Sequence, residues 1–402
     1  MTVVAFAPAD PAFQADPWPV YQALRERGRV LYDEPSDHWL VPHHADVAAV
    51  LRDRRFGRTY LHVASHAEMG RPEEPDWLAP FWTLIRNGML DREPPDHTRL
   101  RRLVAKAFTP RTVEALRPRV EAVAAELVGR VAEAGGGDLV AELAEPLSVT
   151  VIADLLGVPA ADRPLLRPWS AGICGMYEVN PTEQAARAAV RACEEFSAYL
   201  RALAAERRRR PTGDLVTALT RVLDEGDRLT EDELVGTCVL LLNAGHEATV
   251  NATGIGWLTL LRHPDQLARL RADRGLLPTA VEELLRWDTP LPMFERWVLQ
   301  DVELAGVRVP KGAELGLLFA SANRDPAAFA EPDRLDLGRH PNPHLTFGAG
   351  THFCLGAPLG RLELQATFAA LLDRLPGLAL AAEPRWKPTY VLRGLQTLPV
   401  SA

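Results

Sequence analysis

Near its carboxyl end the chain reads Phe347-Gly348-Ala349-Gly350-Thr351-His352-Phe353-Cys354-Leu355-Gly356. Three glycines frame a single cysteine, and glycine permits the positive φ angles and close backbone approach of a tightly wound loop. A helical pattern follows at about residues 359–375, and the N–H groups that begin a helix favour a nearby thiolate. A buried thiolate in such a loop is a suitable axial ligand for haem iron. The stretch therefore predicts Cys354 as a metal ligand.

A structural cysteine in a glycine-rich turn is the alternative interpretation of Cys354. The glycine spacing and the aromatic residues Phe347 and Phe353 favour the ligand. The stretch closely resembles the haem-binding loop of the cytochrome P450 family, Phe-Gly-x-Gly-x-x-x-Cys-x-Gly, and every fixed position matches. The resemblance implies haem b bound through Cys354, with four further loop residues against it: Phe347, Gly348, Gly350 and Gly356.

The composition is that of a soluble globular protein. Of 402 residues, 47% are hydrophobic and 24% are charged, which is ordinary for such proteins. The net charge of −8 argues against non-specific binding to nucleic acid. Repeats and long linkers are not found, so we expect one haem domain over residues 1–402, without a fused reductase or ferredoxin domain.

Membrane attachment and secretion are not expected. No apolar run approaches the ~20 residues that span a bilayer, and residues 1–10 lack the pattern of a signal peptide. The four cysteines show no paired spacing, which fits a reducing compartment. We expect a cytoplasmic monomer.

The hydrophobic patterns predict mostly helix with a minor β part. Helical patterns cover residues 21–27, 45–52, nearly all of 97–261 and short pieces up to about 287, and strand-like patterns cover 30–41, 294–318 and 390–400. Residues 60–89 are irregular. Such a loop is either a binding lid or a segment packed on the core by its aromatic residues. The resemblance implies the cytochrome P450 fold, with a long central helix over the haem and small sheets at one side.

A long apolar helix is predicted at residues 238–261, with small residues at its centre. Positions three and four apart share a helix face, so a smooth stripe forms from Ala244, Gly245, Ala248, Thr249 and Ala252. A flat ring can lie close to such a stripe. The Thr249 hydroxyl can bond back to the Gly245 carbonyl, which would bend the helix.

Tight helix packing is the alternative explanation of this stripe, with Glu247 and Thr249 incidental. The segment resembles the oxygen-binding segment of the P450 family, Ala-Gly-x-acidic-x-Thr. The resemblance implies that Glu247 and Thr249 deliver protons, that Ala244 and Gly245 belong to the catalytic segment, and that Ala248 contacts haem.

Cationic residues are predicted to anchor the haem and its loop. Glu283 and Arg286 can form an ordinary helical salt bridge, but the resemblance implies a structural cluster with Arg339 that fixes the cysteine loop. Haem propionates need cationic or hydrogen-bonding partners. His97 and Arg101, four residues apart on a predicted helix, can reach one carboxylate, although either can equally be a surface charge. Four residues match family positions for these contacts: His97, Arg101, Arg296 and His352.

The resemblance implies a monooxygenase that inserts one atom of O2 into a hydrophobic small molecule. Electrons would pass from NAD(P)H through a flavin-dependent reductase and a ferredoxin, for which Arg99, Arg102, Arg111 and Arg361 form either a docking patch or ordinary solvated charges. A terpenoid, steroid, fatty acid or polyketide would fit the apolar candidate pocket residues. These are Trp77, Phe81, Trp82, Leu240, Leu241, Leu291, Met293, Phe294 and Leu392.

Two rival functions remain open. A peroxide-driven or oxidative-coupling haem-thiolate enzyme would share the cysteine loop, although the acid and threonine weigh against dependence on peroxide. A non-catalytic haem sensor would need no proton delivery, so Glu247 and Thr249 disfavour it.

Overall fold

Most of the described residues lie in helices, and short strands form small sheets. The structure, a computed structural model, describes residues 6–224 and 229–402. Two compact units share the chain. The first contains the described residues up to Gly57 with Arg117–Glu145 and Ala248–Ala402, and the second contains Arg58–Leu116 and the described residues of Pro146–Glu247. That the chain acts as one domain stays a prediction.

The mainly helical character that the sequence predicts is confirmed. In the described residues the helices are α1 (Pro11–Ala15), α2 (Trp18–Arg27), α3 (His44–Val50), α4 (Ala79–Asn87), α5 (Asp96–Ala105), α6 (Pro110–Glu133), α7 (Glu145–Leu156), α8 (Arg163–Cys174), α9 (Glu183–Arg209), α10 (Leu215–Asp224), α11 (Glu231–Arg262), α12 (Pro264–Ala272), α13 (Leu277–Trp287), α14 (Phe319–Ala322) and α15 (Ala357–Arg374). None of these is long and apolar enough to cross a bilayer.

The strands all lie in the first unit. They are β1 (Leu31–Asp33), β2 (His38–Val41), β3 (Phe56–Gly57), β4 (Gly136–Asp138), β5 (Met293–Val298), β6 (Val302–Leu304), β7 (Val307–Val309), β8 (Glu314–Leu318), β9 (Ala379–Leu380), β10 (Arg385–Trp386), β11 (Leu395–Thr397) and β12 (Pro399–Ser401). The largest sheet has the order β1-β2-β8-β5-β3, and the smaller ones are β4-β12-β9, β6-β7 and β10-β11.

The large sheet covers an apolar core. β2 and β8 are parallel, and the other neighbouring strands are antiparallel. Side chains alternate between the two faces of a strand, and Val41, Leu315 and Leu317 share one face and are fully buried. This packing holds β5, which carries two candidate site residues, Phe294 and Arg296.

The predicted helices and strands agree with the structure except in residues 60–89 and at β4, a strand within the stretch 97–261 that the sequence predicts as nearly all helix. The predicted helix at 238–261 is part of α11, and the strand–turn–strand at 30–41 is confirmed as β1, a 3-10 turn and β2. The irregular stretch contains α4, which buries Phe81 and Leu84. Pro80 lies in the first turn of α4, where a missing N–H costs no helical hydrogen bond. The prediction that residues 60–89 are irregular was therefore wrong for α4.

Glycines let α11 lie close to its neighbours within each unit. In the first unit, a β-carbon added at Gly256 would lie 2.7 Å from Cζ of Phe368 on α15. The rings of Phe368 and Trp257 meet edge-on, with centroids 5.5 Å apart. In the second unit, a β-carbon at Gly236 would lie 2.8 Å from the Leu84 carbonyl oxygen on α4. Both contacts are close enough to require glycine on α11.

Candidate active site

The cysteine loop is wound by glycines and by its own backbone hydrogen bonds. Gly348 and Gly350 both have φ of 68°, a conformation that favours glycine. A β-carbon on Gly350 would also collide with the Leu51 carbonyl oxygen. The Cys354 N–H donates to the Phe347 carbonyl oxygen at 2.9 Å, which closes the loop just before α15 begins at Ala357.

Cys354 differs from the other three cysteines in its exposure. Cys354 is exposed, whereas Cys174, Cys193 and Cys238 are buried. Burial raises the pKa of the Cys193 and Cys238 thiols to about 12, so both resist becoming thiolates. The four cysteines form no disulfide in the described chain. An accessible thiol suits a ligand better than it suits a structural cysteine packed in a core.

A buried charge cluster supports the segment that leads into the cysteine loop. Arg286 donates to both carboxylate oxygens of Glu283, at 2.7 and 2.8 Å, and both side chains are fully buried. Arg339 Nε lies 3.1 Å from each of the same oxygens. The structure thus brings together the three residues predicted to form a structural cluster, although their role in holding haem stays a prediction.

The arginines of this cluster also satisfy carbonyl groups of irregular backbone. Arg286 Nη1 donates to the carbonyl oxygens of Asn323 and Pro332, both at 2.9 Å. Arg339 donates to three more, those of Ala330, Glu331 and Arg334. Backbone carbonyls gain such donors where no helix or sheet supplies them. The cluster therefore fixes the course of the chain before the loop.

A second charge cluster, which the sequence analysis missed, touches the loop directly. Arg361 donates to the two carboxylate oxygens of Glu282 at 2.6 and 2.7 Å, and His344 Nε2 lies 3.1 Å from Glu282. The Arg361 guanidinium also lies over the Phe347 ring, 4.3 Å from its centroid. Burial alone would raise the pKa of Glu282, but hydrogen bonds from Arg361 and His344 lower it to about 2.

Ion pairs change the interpretation of two of the predicted docking charges, Arg361 and Arg99. Arg361 is bound to Glu282, and Arg99 donates to Glu233 at 2.6 and 3.1 Å. Their charges are partly neutralised. In the sequence, Glu282 is marked only by its position beside Glu283. That position does not reveal its role, because its partners His344 and Arg361 come from distant segments.

The central segment of α11 lies within one helix, Glu231–Arg262, and the bend at Thr249 stays a prediction. Within α11, the Thr253 hydroxyl donates to the Thr249 carbonyl oxygen at 2.9 Å, a back-bond of the kind predicted for Thr249. A β-carbon at Gly245 would lie 3.1 Å from Cδ1 of Ile152 on α7. Close packing against α7 therefore explains the glycine at position 245. Its predicted place in the catalytic segment stays a prediction.

The polar residues of this segment are largely buried. Glu247 is 9% exposed and Thr249 is 8% exposed, and Glu247 Oε1 lies 3.7 Å from His246 Nδ1. A β-carbon at Gly360, on α15, would lie 3.9 Å from Thr249 Oγ1. The Thr249 hydroxyl is thus near the helix that begins beside Cys354. Ala244 and Ala248 lie on the same continuous helix.

The four candidate propionate partners divide between the two units. In the first, Arg296 is 2% exposed on β5, and His352 is half-buried in the 3-10 turn Gly350–His352. In the second, His97 is 2% exposed and Arg101 is half-buried on α5. Their placement confirms the predicted helix for His97 and Arg101, while contact with haem stays a prediction.

Comparisons with known proteins identify the family of this chain. A model of the family "Cytochrome P450" matches residues 175–376. The cytochrome P450 monooxygenase PikC of Streptomyces venezuelae is 42% identical over 398 residues, covering 96% of this chain and 91% of that protein. The chain belongs to the cytochrome P450 family.

Further relatives of this P450 include enzymes and a solved complex. The mycinamicin IV hydroxylase/epoxidase of Micromonospora griseorubida is 42% identical and covers 93% of this chain and 91% of its own length. The structure of P450BioI with a hexadec-9Z-enoic acid ligated acyl carrier protein matches with a TM-score of 0.91 and 36% identity, covering 97% of this chain and 99% of that one. Fold, family and monooxygenase class are therefore confirmed.

Membership of the P450 family implies haem, and the residues of the loop fit it. The thiol is exposed, and a β-carbon added at Gly356 would lie 4.0 Å from its sulfur. A planar group against the loop would meet no side chain at Gly348 or Gly356, whereas Gly350 allows the close approach of the loop to Leu51. A thiol in the same unit as the His352 imidazole and the Arg296 guanidinium suits an iron porphyrin with anionic propionates.

The candidate pocket residues of this P450 fall into two groups by burial. Phe81, Leu241 and Met293 are buried in the cores of their units, at 2%, 6% and 1% exposure. The half-buried group, which can meet a substrate directly, consists of Trp82, Leu240, Leu291, Phe294 and Leu392. Trp77 is 38% exposed, with the Arg187 guanidinium over its ring. Contact with substrate stays a prediction for each.

Proposed function

We propose that this P450 inserts one oxygen atom of O2 into a hydrophobic small molecule, by hydroxylation or epoxidation, with haem b bound through Cys354. The observation that carries the proposal is an exposed thiol in a glycine-wound loop, supported by the Glu283 and Glu282 clusters. Bound haem supplies the activation of dioxygen, and its thiolate ligand favours O–O cleavage.

The chain's own residues would hold the cofactor, exclude water and move protons. Arg296, His352, His97 and Arg101 are proposed to bind the propionates. The Glu247 carboxylate and the Thr249 hydroxyl are proposed to carry protons along α11, which fits their burial of about nine-tenths. Buried groups of this kind can pass protons without opening the site to bulk water.

The substrate class remains broad in this proposal. One relative is named a mycinamicin IV hydroxylase/epoxidase, and a structural neighbour is a complex with a fatty acyl carrier protein. Their substrates differ, so neither is transferred to this chain. The half-buried side chains Trp82, Leu240, Leu291, Phe294 and Leu392 favour an apolar molecule. A substrate panel therefore includes polyketides, fatty acids, terpenoids and steroids.

Electrons are proposed to come from NAD(P)H through a flavin-dependent reductase and a ferredoxin. Because Arg99 and Arg361 are bound to carboxylates, Arg102 and Arg111, which are exposed, become the candidate docking charges. An Arg102→Ala/Arg111→Ala variant should slow ferredoxin-driven reduction, and salt should slow the wild type. Arg308→Ala, at an exposed position on β7, is the control. Equal rates in both variants would exclude the patch.

The absorption spectrum tests the cofactor and its ligand first. Dithionite-reduced protein with carbon monoxide should give the strongly red-shifted Soret band of thiolate-ligated haem. Cys354→Ser should lose that band, whereas Cys193→Ser, at a buried thiol, should keep it. An unshifted carbonyl band in folded wild-type protein would refute the thiolate.

Turnover with a surrogate ferredoxin system then separates the rival functions. Product that carries one 18O atom from labelled dioxygen and depends on NAD(P)H would support the monooxygenase. Product formed only with added peroxide would favour the peroxide-driven enzyme. Tight substrate binding without turnover under either condition would favour the sensor.

A further inference from the structure

Three potential metal ligands meet on the large sheet of the first unit, away from the cysteine loop in sequence. His38 begins β2, Glu314 begins β8 and Glu295 lies within β5, and these are three consecutive strands of the sheet. His38 is the register partner of Glu314, and Glu295 is that of Gly316. Because side chains alternate along strands, the three side chains share one face, opposite to the core face of Leu315 and Leu317.

The imidazole of His38 is prepared to act as a ligand. Its Nδ1 lies 2.5 Å from the Ser36 carbonyl oxygen, which can only accept, so Nδ1 carries the proton. In the neutral ring the lone pair is then on Nε2, as in histidine ligands oriented by a backbone carbonyl. Nε2 is buried and makes no hydrogen bond in the described chain, although the side chain is only 9% exposed.

Both carboxylates face this nitrogen at distances that suit an ion. His38 Nε2 lies 3.8 Å from Glu295 Oε1 and 3.9 Å from Glu314 Oε2, and the three ligand atoms are all within 4.8 Å of one another. A tetrahedral zinc ion with bonds of about 2.1 Å holds its ligand atoms about 3.4 Å apart, so each pair would have to draw together by up to about 1.4 Å on binding. Small side-chain adjustments would therefore place all three around one ion.

We propose that His38, Glu295 and Glu314 bind one divalent transition-metal ion, for which Zn²⁺ is the probe. One imidazole and two carboxylates suit such ions. Glu295 and Glu314 are 28% and 17% exposed, which leaves a path for entry. The ion would tie β2, β8 and β5 together and stabilise the strand that carries Arg296.

A proton on His38 is the natural competitor of the ion. Burial alone lowers the pKa of His38, but the neighbouring Glu295 and Glu314 carboxylates outweigh it and raise the pKa. An imidazolium between two carboxylates would then replace the ion at low pH. Metal affinity should fall as the pH is lowered, because the ligands must release protons to bind.

Calorimetric titration of haem-loaded, chelator-treated protein with Zn²⁺ near neutral pH tests the site. Wild type should bind one equivalent with micromolar or tighter affinity, and its melting temperature should rise. Glu314→Gln should weaken binding at least tenfold and remove the rise. His38→Asn, whose amide can still donate to Ser36, should do the same.

Matched variants separate this site from surface histidines and carboxylates. His62→Asn and Glu303→Gln change exposed residues and should bind Zn²⁺ as wild type does. If His38→Asn misfolds by circular dichroism, Glu314→Gln decides alone, because it changes one atom of a partly exposed side chain. Equal affinity and stoichiometry in Glu314→Gln and wild type would overturn the proposal. So would wild-type affinity no tighter than millimolar, since His38 would then carry only a proton.

Discussion

The approach to the cysteine loop and the centre of α11 are held in place by different forces. Residues 323–346 contain little regular structure, and Arg286 and Arg339 donate to five of their carbonyl oxygens. The α11 segment satisfies its own backbone, and its position is set by contacts such as Gly245 against Ile152. An irregular segment needs polar side chains to replace the backbone hydrogen bonds of a helix or sheet. A helix forms these bonds itself and needs only neighbouring side chains that fit its surface. Substitutions in the approach to the cysteine loop should therefore lower stability, whereas substitutions at the centre of α11 should change activity with little loss of stability.

The largest expected effect comes from removing charge from Glu283. Glu283→Gln leaves Arg286, which is 0% exposed, as a buried charge without its anion, and such changes cost about 3–5 kcal/mol. Denaturant unfolding and haem content should both show the loss. Glu126→Gln breaks the exposed pair with Arg130 and should cost under about 1 kcal/mol. Similar losses in the two variants would refute the distinction between the regions.

Gly350 should be the next most sensitive position. Gly350→Ala combines a φ of 68° with collision against the Leu51 carbonyl, and we expect a loss of about 2–3 kcal/mol with reduced haem retention. Gly348→Ala is the matched control, because it has the same φ but no atom within 4 Å of the added β-carbon. It should cost about 1 kcal/mol. If both variants lose equal stability, the close approach to Leu51 has no energetic role.

Acid should weaken the loop through Glu282. The pKa of this carboxyl is lowered from 4.5 to about 2, so its contribution is complete above pH 4.5 and is lost as the pH falls towards 2. Allowing for partial exposure, wild type should lose about 1 kcal/mol more than Glu282→Gln between pH ~6 and pH ~3.5. Chemical denaturation at several pH values measures this difference. Parallel pH profiles for the two proteins would contradict it.

Substitution of Thr249 should have the smallest effect on stability and should instead lower the amount of product formed per NAD(P)H consumed. Thr249→Ala removes one hydroxyl from a continuous helix, so we expect unchanged haem content and melting temperature within about 2 °C. Product formed per NAD(P)H consumed should fall several-fold, with peroxide as the by-product. Thr253→Ala, one turn along, should keep the wild-type ratio. An unchanged ratio in Thr249→Ala would exclude the proton-delivery role.

Sequence reasoning located the cysteine loop because its signal is local. Glycine is favoured where φ is positive, and a thiol between such glycines is recognisable without any partner. The Glu283–Arg286 pair was also recognisable, because a spacing of three places both on one helix face. Glu282, His344 and Arg361 were not recognised as a cluster, since they come from three segments that only folding brings together.

The sequence by itself determined the helical class, the cysteine loop and the family, because hydrophobic periodicity and local motifs are written in consecutive residues. Tertiary structure alone decided that Gly245 packs against Ile152 and that Arg361 is bound to Glu282. It also decided that His38, Glu295 and Glu314 meet across three strands. Burial and pairing depend on which distant segments become neighbours, and no local pattern specifies that.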